Sequence, residues 1–175
     1  MALKTSDINP RIATRILNSK ADLLSGVHAA EIRNLLERRG VLVFPEVNFT
    51  DEEQVLSPSG GQTEFCNTYA AYDDLPEAEK REYEKLHVMH SAWNSLFYYD
   101  PEPALKKLQE MMSIGDAELP LVWKHRSGRK SLVLGCTAYQ VVGKNFKESA
   151  RLLVKLREWA TQPQFVYRHE WKVGD

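Results

Sequence analysis

Between Phe49 and Phe65 the sequence FTDEEQVLSPSGGQTEF starts a helix and leaves it no room. Thr50 followed by Glu53 is a capping box, in which hydroxyl and carboxylate each satisfy a backbone donor left open by a first helical turn. Only Val55 and Leu56 separate this start from Ser57, Pro58, Ser59, Gly60 and Gly61, a run that reads as a turn and cannot extend a helix. Helix nucleation is unfavourable and is offset only by later residues, so a helix abandoned after about one turn is a poor solution. The spacing therefore predicts further residues between Val55 and Leu56 in the complete chain. Val173-Gly174-Asp175 likewise reads as a turn that feeds another strand.

Around this stretch, helical and strand-like segments alternate. Residues 12–17 read as an early strand. HAAEIRNLLERRG reads as a helix with Ala29, Ile32, Leu35 and Leu36 on one face and Gly40 as its stop. VLVF at 41–44 reads as a buried strand, QTEFCN as a strand, and TYAAY as a short helix, followed by a longer helix with Pro76 in its first turn. LHVMHS is a strand, PEPALKKLQEMM a helix, and RKSLVLGC a strand after a Ser127-Gly128 turn. ESARLLVKLREWATQ is an amphipathic helix with Ser149, Leu152, Leu153, Leu156 and Trp159 in register. QFVYRHEW closes as a strand with Phe165, Tyr167, His169 and Trp171 on one side. The sum is a mixed sheet with flanking helices, and no Gly-rich phosphate loop supports a doubly wound nucleotide fold.

At 175 residues one domain is expected, since such a chain buries roughly 70% of its extended surface. A net charge of −1 gives no electrostatic reason to expect nucleic acid, and no run approaches the roughly 20 apolar residues of a membrane span. Two cysteines do not make a disulfide framework and the N-terminus has no apolar signal core, so a cytoplasmic protein with a small-molecule partner is expected.

The residues capable of chemistry give no complete site. None of His28, His87, His90, His125 and His169 is followed two positions later by Asp or Glu, as a local iron-binding pair would require. His87 and His90, three apart in a strand, point to opposite faces. His28 reads as a solvated residue at a helix start, and His169 as a satisfied member of an aromatic face. Cys66 and Cys136 read as buried apolar residues rather than nucleophiles. Thr63, after two glycines that let the chain turn sharply into a strand, can present a hydroxyl donor to an anion; a plain β-favouring threonine in a hairpin entry is the alternative.

Four ordered motifs, LSPSGGQTEFCNTYAAYDDLP, VMHS, HRSGRKSLVLG and QFVYRHEWKVGD, resemble the taurine dioxygenase and 2,4-dichlorophenoxyacetate dioxygenase family over most of residues 25–175. The resemblance implies an α+β chain with a mainly β core, a double-stranded β-helix (jelly roll) with flanking helices, in one domain over 1–175 and present here only in part. It implies Fe(II) and 2-oxoglutarate as cofactors, with dioxygen and a small organic acid, of sulfonate or aryloxyalkanoate type, as substrates. A homo-oligomer is compatible with it. It assigns to Thr63 a hydrogen bond to the 2-oxoglutarate carboxylate, with the hydroxyl turned toward the barrel mouth. For Arg129 and Lys130 a solvated turn suffices. The family's His-x-Asp pair belongs where Val55 meets Leu56, and its distal histidine and 2-oxoglutarate arginine belong after EWKVGD. The residues present therefore supply no metal ligand and no catalytic residue that can be named. Further segments after Val55 and after Asp175 are expected, and a non-catalytic jelly-roll relative acting as a binding or assembly module is the rival.

Overall fold

The computed structural model describes residues 2–47 and 62–171. The Thr50–Glu53 capping box, the Val55–Leu56 junction and the final Val173-Gly174-Asp175 turn lie outside the described residues. The chain forms two compact units, one of residues 1–67 with 162–175, the other of residues 68–161.

In the first unit, β1 (Thr5–Asp7) pairs antiparallel with β2 (Thr14–Ile16), and β2 pairs parallel with β3 (Leu42–Val43). A parallel neighbour needs a crossover, and α1 (Lys20–Leu24) and α2 (Ala29–Arg39) provide it. The Ser19 hydroxyl caps α1 by accepting from the Asp22 N–H at 3.2 Å. Gly40 stops α2 as its sequence predicts: at φ 72° it takes the left-handed conformation that glycine adopts without strain, and its N–H closes the last turn on the Leu36 carbonyl. The face of α2 is narrower than expected, because Leu35 is buried while Leu36 is exposed. Arg39, in the last turn, reaches back across the loop before β2. Its guanidinium donates to Thr14 Oγ1 (2.7 Å), to the carbonyls of Pro10 (2.8 Å) and Ala13 (3.0 Å), and to that of Asn9. The last sheet of this unit pairs β4 (Thr63–Cys66) antiparallel with β10 (Val166–His169). A 3-10 turn, Pro163–Phe165, leads into β10 and buries the Phe165 ring completely. The Asn67 N–H donates to the Phe165 carbonyl at 2.8 Å.

In the second unit, α3 (Thr68–Asp73) and α4 (Glu77–Tyr83) precede β5 (His87–Ser91), the central strand of an antiparallel sheet ordered β6-β5-β9. Pro76 stands one residue earlier than expected, at the N-cap of α4. The strands β6 (Asp116–Pro120) and β9 (Ala138–Val141) were not legible as strands: β6 carries Asp, Glu and Pro, the residues that blunt an exposed edge. Two short helices, α5 (Ala92–Leu96) and α6 (Leu105–Met112), lie between β5 and β6. The Ser127-Gly128 turn is present and joins β7 (Val122–Lys124) to β8 (Lys130–Leu132) as a hairpin. The strand expected over 129–136 is therefore only Lys130–Leu132, and Cys136 lies beyond it. α7 (Phe146–Ala160) opens on a capping box, Asn145 with Glu148. Its inner face, Ser149, Leu153, Leu156 and Ala160, is buried, and the Ser149 hydroxyl accepts the Val141 N–H at 3.0 Å, tying α7 to β9.

Candidate functional site

Residues directly opposite in an antiparallel pair share a face, so the β4–β10 register decides which side chains meet. Thr63 lies opposite His169, and Phe65 opposite Tyr167. Phe65 and Tyr167 stack at 6.5 Å between centroids, with planes 16° apart. The Tyr167 hydroxyl is 2.7 Å from His169 Nδ1, and Trp171 sets its ring at 90° to the His169 ring, 4.4 Å away. The indole N–H of Trp171 donates to Thr63 Oγ1 at 3.0 Å. Of the aromatic face expected from Phe165, Tyr167, His169 and Trp171, the last three do come together, with His169 buried and satisfied among them, whereas Phe165 lies in the 3-10 turn before the strand and is buried there. A cleft of about 340 Å³ opens beside β10, bordered by Ile8, Arg15, Val43, Glu46, Tyr167 and His169.

The other face of this ribbon points outward. Glu64 and Arg168 approach to 3.8 Å, and Cys66 lies on the same exposed side. Both Cys66 and Cys136 are exposed, contrary to the buried positions read from the sequence. For Cys66 the reason is the register, which places Thr63 and Phe65 inward and their neighbours outward.

The other histidines separate as follows. His28 is buried, not solvated: it takes the N-cap position of α2 with its Nδ1 3.6 Å from the Glu31 carboxylate. His87 is exposed on β5 and pairs with Glu118 at 2.9 Å, whereas His90 is buried, so the two do face opposite ways. Arg129 and Lys130 are not simply solvated. Arg129 lies over the Tyr69 ring and 3.2 Å from Asp73, and Lys130 pairs with Glu84 at 2.8 Å.

His90 carries a pH prediction. Its Nδ1 is 2.9 Å from Thr137 Oγ1, its Nε2 is buried without a partner, and burial pushes its pKa below the ordinary 6.5. The folded protein keeps this imidazole neutral while the unfolded chain takes up a proton near pH 6.5. The contribution to stability is therefore full above that pH and is lost as pH falls toward the folded pKa. Urea midpoints of the wild type are expected to fall between pH 7 and pH 5 more steeply than those of His90→Gln. Parallel profiles would refute it.

Two expected groups can be set against these residues. A buried carboxylate needs donors, and a threonine hydroxyl has one proton and two lone pairs. Trp171 occupies one lone pair of Thr63, and among the described residues no side chain accepts the Thr63 proton, so the geometry suits a carboxylate of 2-oxoglutarate. Iron does not fit in the same way: among the described residues no group of three or more His, Cys, Asp or Glu could hold a metal ion. Among the described residues no helix is long and apolar enough to cross a membrane.

The family model described as Taurine catabolism dioxygenase TauD, TfdA family matches residues 53–175, and the chain belongs to this family. It is 47% identical to an alpha-ketoglutarate-dependent 2,4-dichlorophenoxyacetate dioxygenase of Burkholderia sp. (strain RASC), over 69% of this chain and 40% of that protein. It is 30% identical to the (S)-phenoxypropionate/alpha-ketoglutarate-dioxygenase of Sphingobium herbicidovorans, over 97% of this chain and 60% of that one. The chain thus spans about half the length of these relatives. Among solved structures, AAD-2 in complex with Mn(II) and N-oxalylglycine is similar over 99% of this chain and 86% of its own, with a TM-score of 0.80 and 26% identity.

Sequence reasoning singled out Thr63 and the aromatic face separately and missed that they lie side by side. The period-two pattern of 165–171 was the available signal. The partner strand was not readable, because Thr63 and Trp171 are 108 residues apart.

Proposed function

We propose that this chain carries the 2-oxoglutarate-contacting strand of a cytoplasmic iron(II)- and 2-oxoglutarate-dependent dioxygenase. Its substrate is a small organic acid of sulfonate or aryloxyalkanoate type, hydroxylated with dioxygen as co-substrate. The fold proposed for residues 1–175 is a single domain with a jelly-roll core and flanking helices. The observation that carries the reading is Thr63: a half-buried hydroxyl whose oxygen is held by Trp171 and whose proton is left to donate. Membership of the family supports the cofactor pair, the relatives named above support an aryloxyalkanoate substrate, and the taurine of the family description supports a sulfonate. For iron the support is family membership alone. The role of the described residues is to bind and orient the co-substrate anion.

The intact mass of the natively produced protein comes first, because a value above the 20.1 kDa of these 175 residues would show that further segments belong to the protein to be assayed. Thr63→Val keeps the shape and removes the donor. Its affinity for 2-oxoglutarate, measured by calorimetry, is expected to fall by roughly 5- to 150-fold, equivalent to about 1 to 3 kcal/mol. Unchanged affinity removes Thr63 from the site. Succinate release from 2-oxoglutarate with Fe(II) and a panel of aryloxyacetates and alkylsulfonates then tests the activity. Binding without succinate would replace the dioxygenase with a non-catalytic binding module.

A further inference from the structure

We propose that Trp171 is a positioning residue for Thr63, its indole N–H fixing the hydroxyl so that the threonine proton is presented to a carboxylate; this rests on the reading of Thr63 as the anion contact. Trp171 lies two residues past the end of β10, where ladder hydrogen bonds no longer hold the backbone. Side-chain contacts hold the indole instead. Its ring stands perpendicular to that of buried His169, and its N–H reaches Thr63 at 3.0 Å. His169 is itself held by the Tyr167 hydroxyl, and Tyr167 stacks on Phe65 of the same strand as Thr63. The contacts therefore close a loop across both strands, from Thr63 through Trp171, His169, Tyr167 and Phe65. A freely rotating hydroxyl can spend its proton on any nearby acceptor. Once one lone pair receives the indole N–H, the rotor is restricted, and the O–H becomes a better donor because the two hydrogen bonds polarise one another. An indole serving only as a hydrophobic cover would have no need to aim its one polar atom at Thr63.

Trp171→Phe keeps an aromatic ring against His169 while removing the N–H together with part of the ring surface, so the double variant, in which no hydroxyl is left to orient, separates positioning from cover. Calorimetric titration of the natively produced protein with 2-oxoglutarate in the presence of Mn(II) is run on wild type, Trp171→Phe, Thr63→Val and the double variant. Trp171→Phe is expected to weaken binding about three- to tenfold. The double variant is expected to match Thr63→Val within about twofold, since the indole then has no hydroxyl to orient. In ¹⁵N spectra without ligand, the Trp171 indole N–H resonance should move in Thr63→Val and keep its position in Thr63→Ser. Wild-type affinity in Trp171→Phe, additive losses in the double variant, or an indole resonance indifferent to Thr63→Val would each overturn the positioning role while leaving Thr63 in the site. A wild type that does not bind 2-oxoglutarate overturns the Thr63 reading and the positioning role with it.

Discussion

Phe165→Ala is expected to lower the unfolding free energy by about 3 to 5 kcal/mol, the usual cost of emptying a fully buried aromatic position. The ring is completely buried, and its residue ends the 3-10 turn that launches β10. Its carbonyl accepts the Asn67 N–H, so the same residue secures the ends of both strands of the ribbon. Removing the ring opens a cavity at the root of the strand that carries Tyr167 and His169, and Trp171 follows from that strand. The stability loss should therefore come with weaker order at Trp171, visible as a shift of its indole resonance toward the solvated value. Urea unfolding monitored by circular dichroism gives the first quantity. A loss below about 1 kcal/mol would mean that the ring is not part of a packed core.

The second large effect is expected at Arg39, where Arg39→Met should cost about 3 kcal/mol. A methionine replaces most of the aliphatic length and none of the donors. The guanidinium serves four backbone carbonyls of the 9–13 loop, those of Asn9, Pro10, Ile12 and Ala13, and the Thr14 hydroxyl, and it lies 3.5 Å from Asp7. Asp7 is exposed, so that ion pair alone is worth little. The larger part comes from carbonyls that lose a charged donor, at roughly 1.5 to 3 kcal/mol for each bond not replaced by water. The loop also holds Ala13 at φ 66°, a left-handed conformation that alanine rarely adopts and that the surrounding contacts must maintain. Arg39→Lys should recover less than half of the loss, because an ammonium cannot reproduce the planar fork. The loss should change little in 1 M NaCl. A loss abolished by salt would show that Asp7, not the loop, is the important partner.

How much of this was legible in the sequence depended on whether the signal was local. α7 was readable because a long apolar stripe has only one helical solution, and α2 ended at Gly40 because its terminal conformation suits glycine. The opposed faces of His87 and His90, the Ser127-Gly128 turn and the strand face of Tyr167 and His169 all follow from spacing along one segment. The quoted motifs were enough for the family. What spacing could not give was decided by partners far along the chain. His28 at a helix start looked solvated, and tertiary packing buried it. Cys66 looked buried, and the β4–β10 register turned it outward. β6 looked like loop because its charged residues and proline suit an edge that only the assembled sheet creates. The sequence by itself determined that Thr63 could donate to an anion and that Trp171 shares a face with His169. Only the tertiary structure decided that these side chains meet, because a hydrogen bond between residues 108 apart depends on strand register, which no local pattern in either strand records.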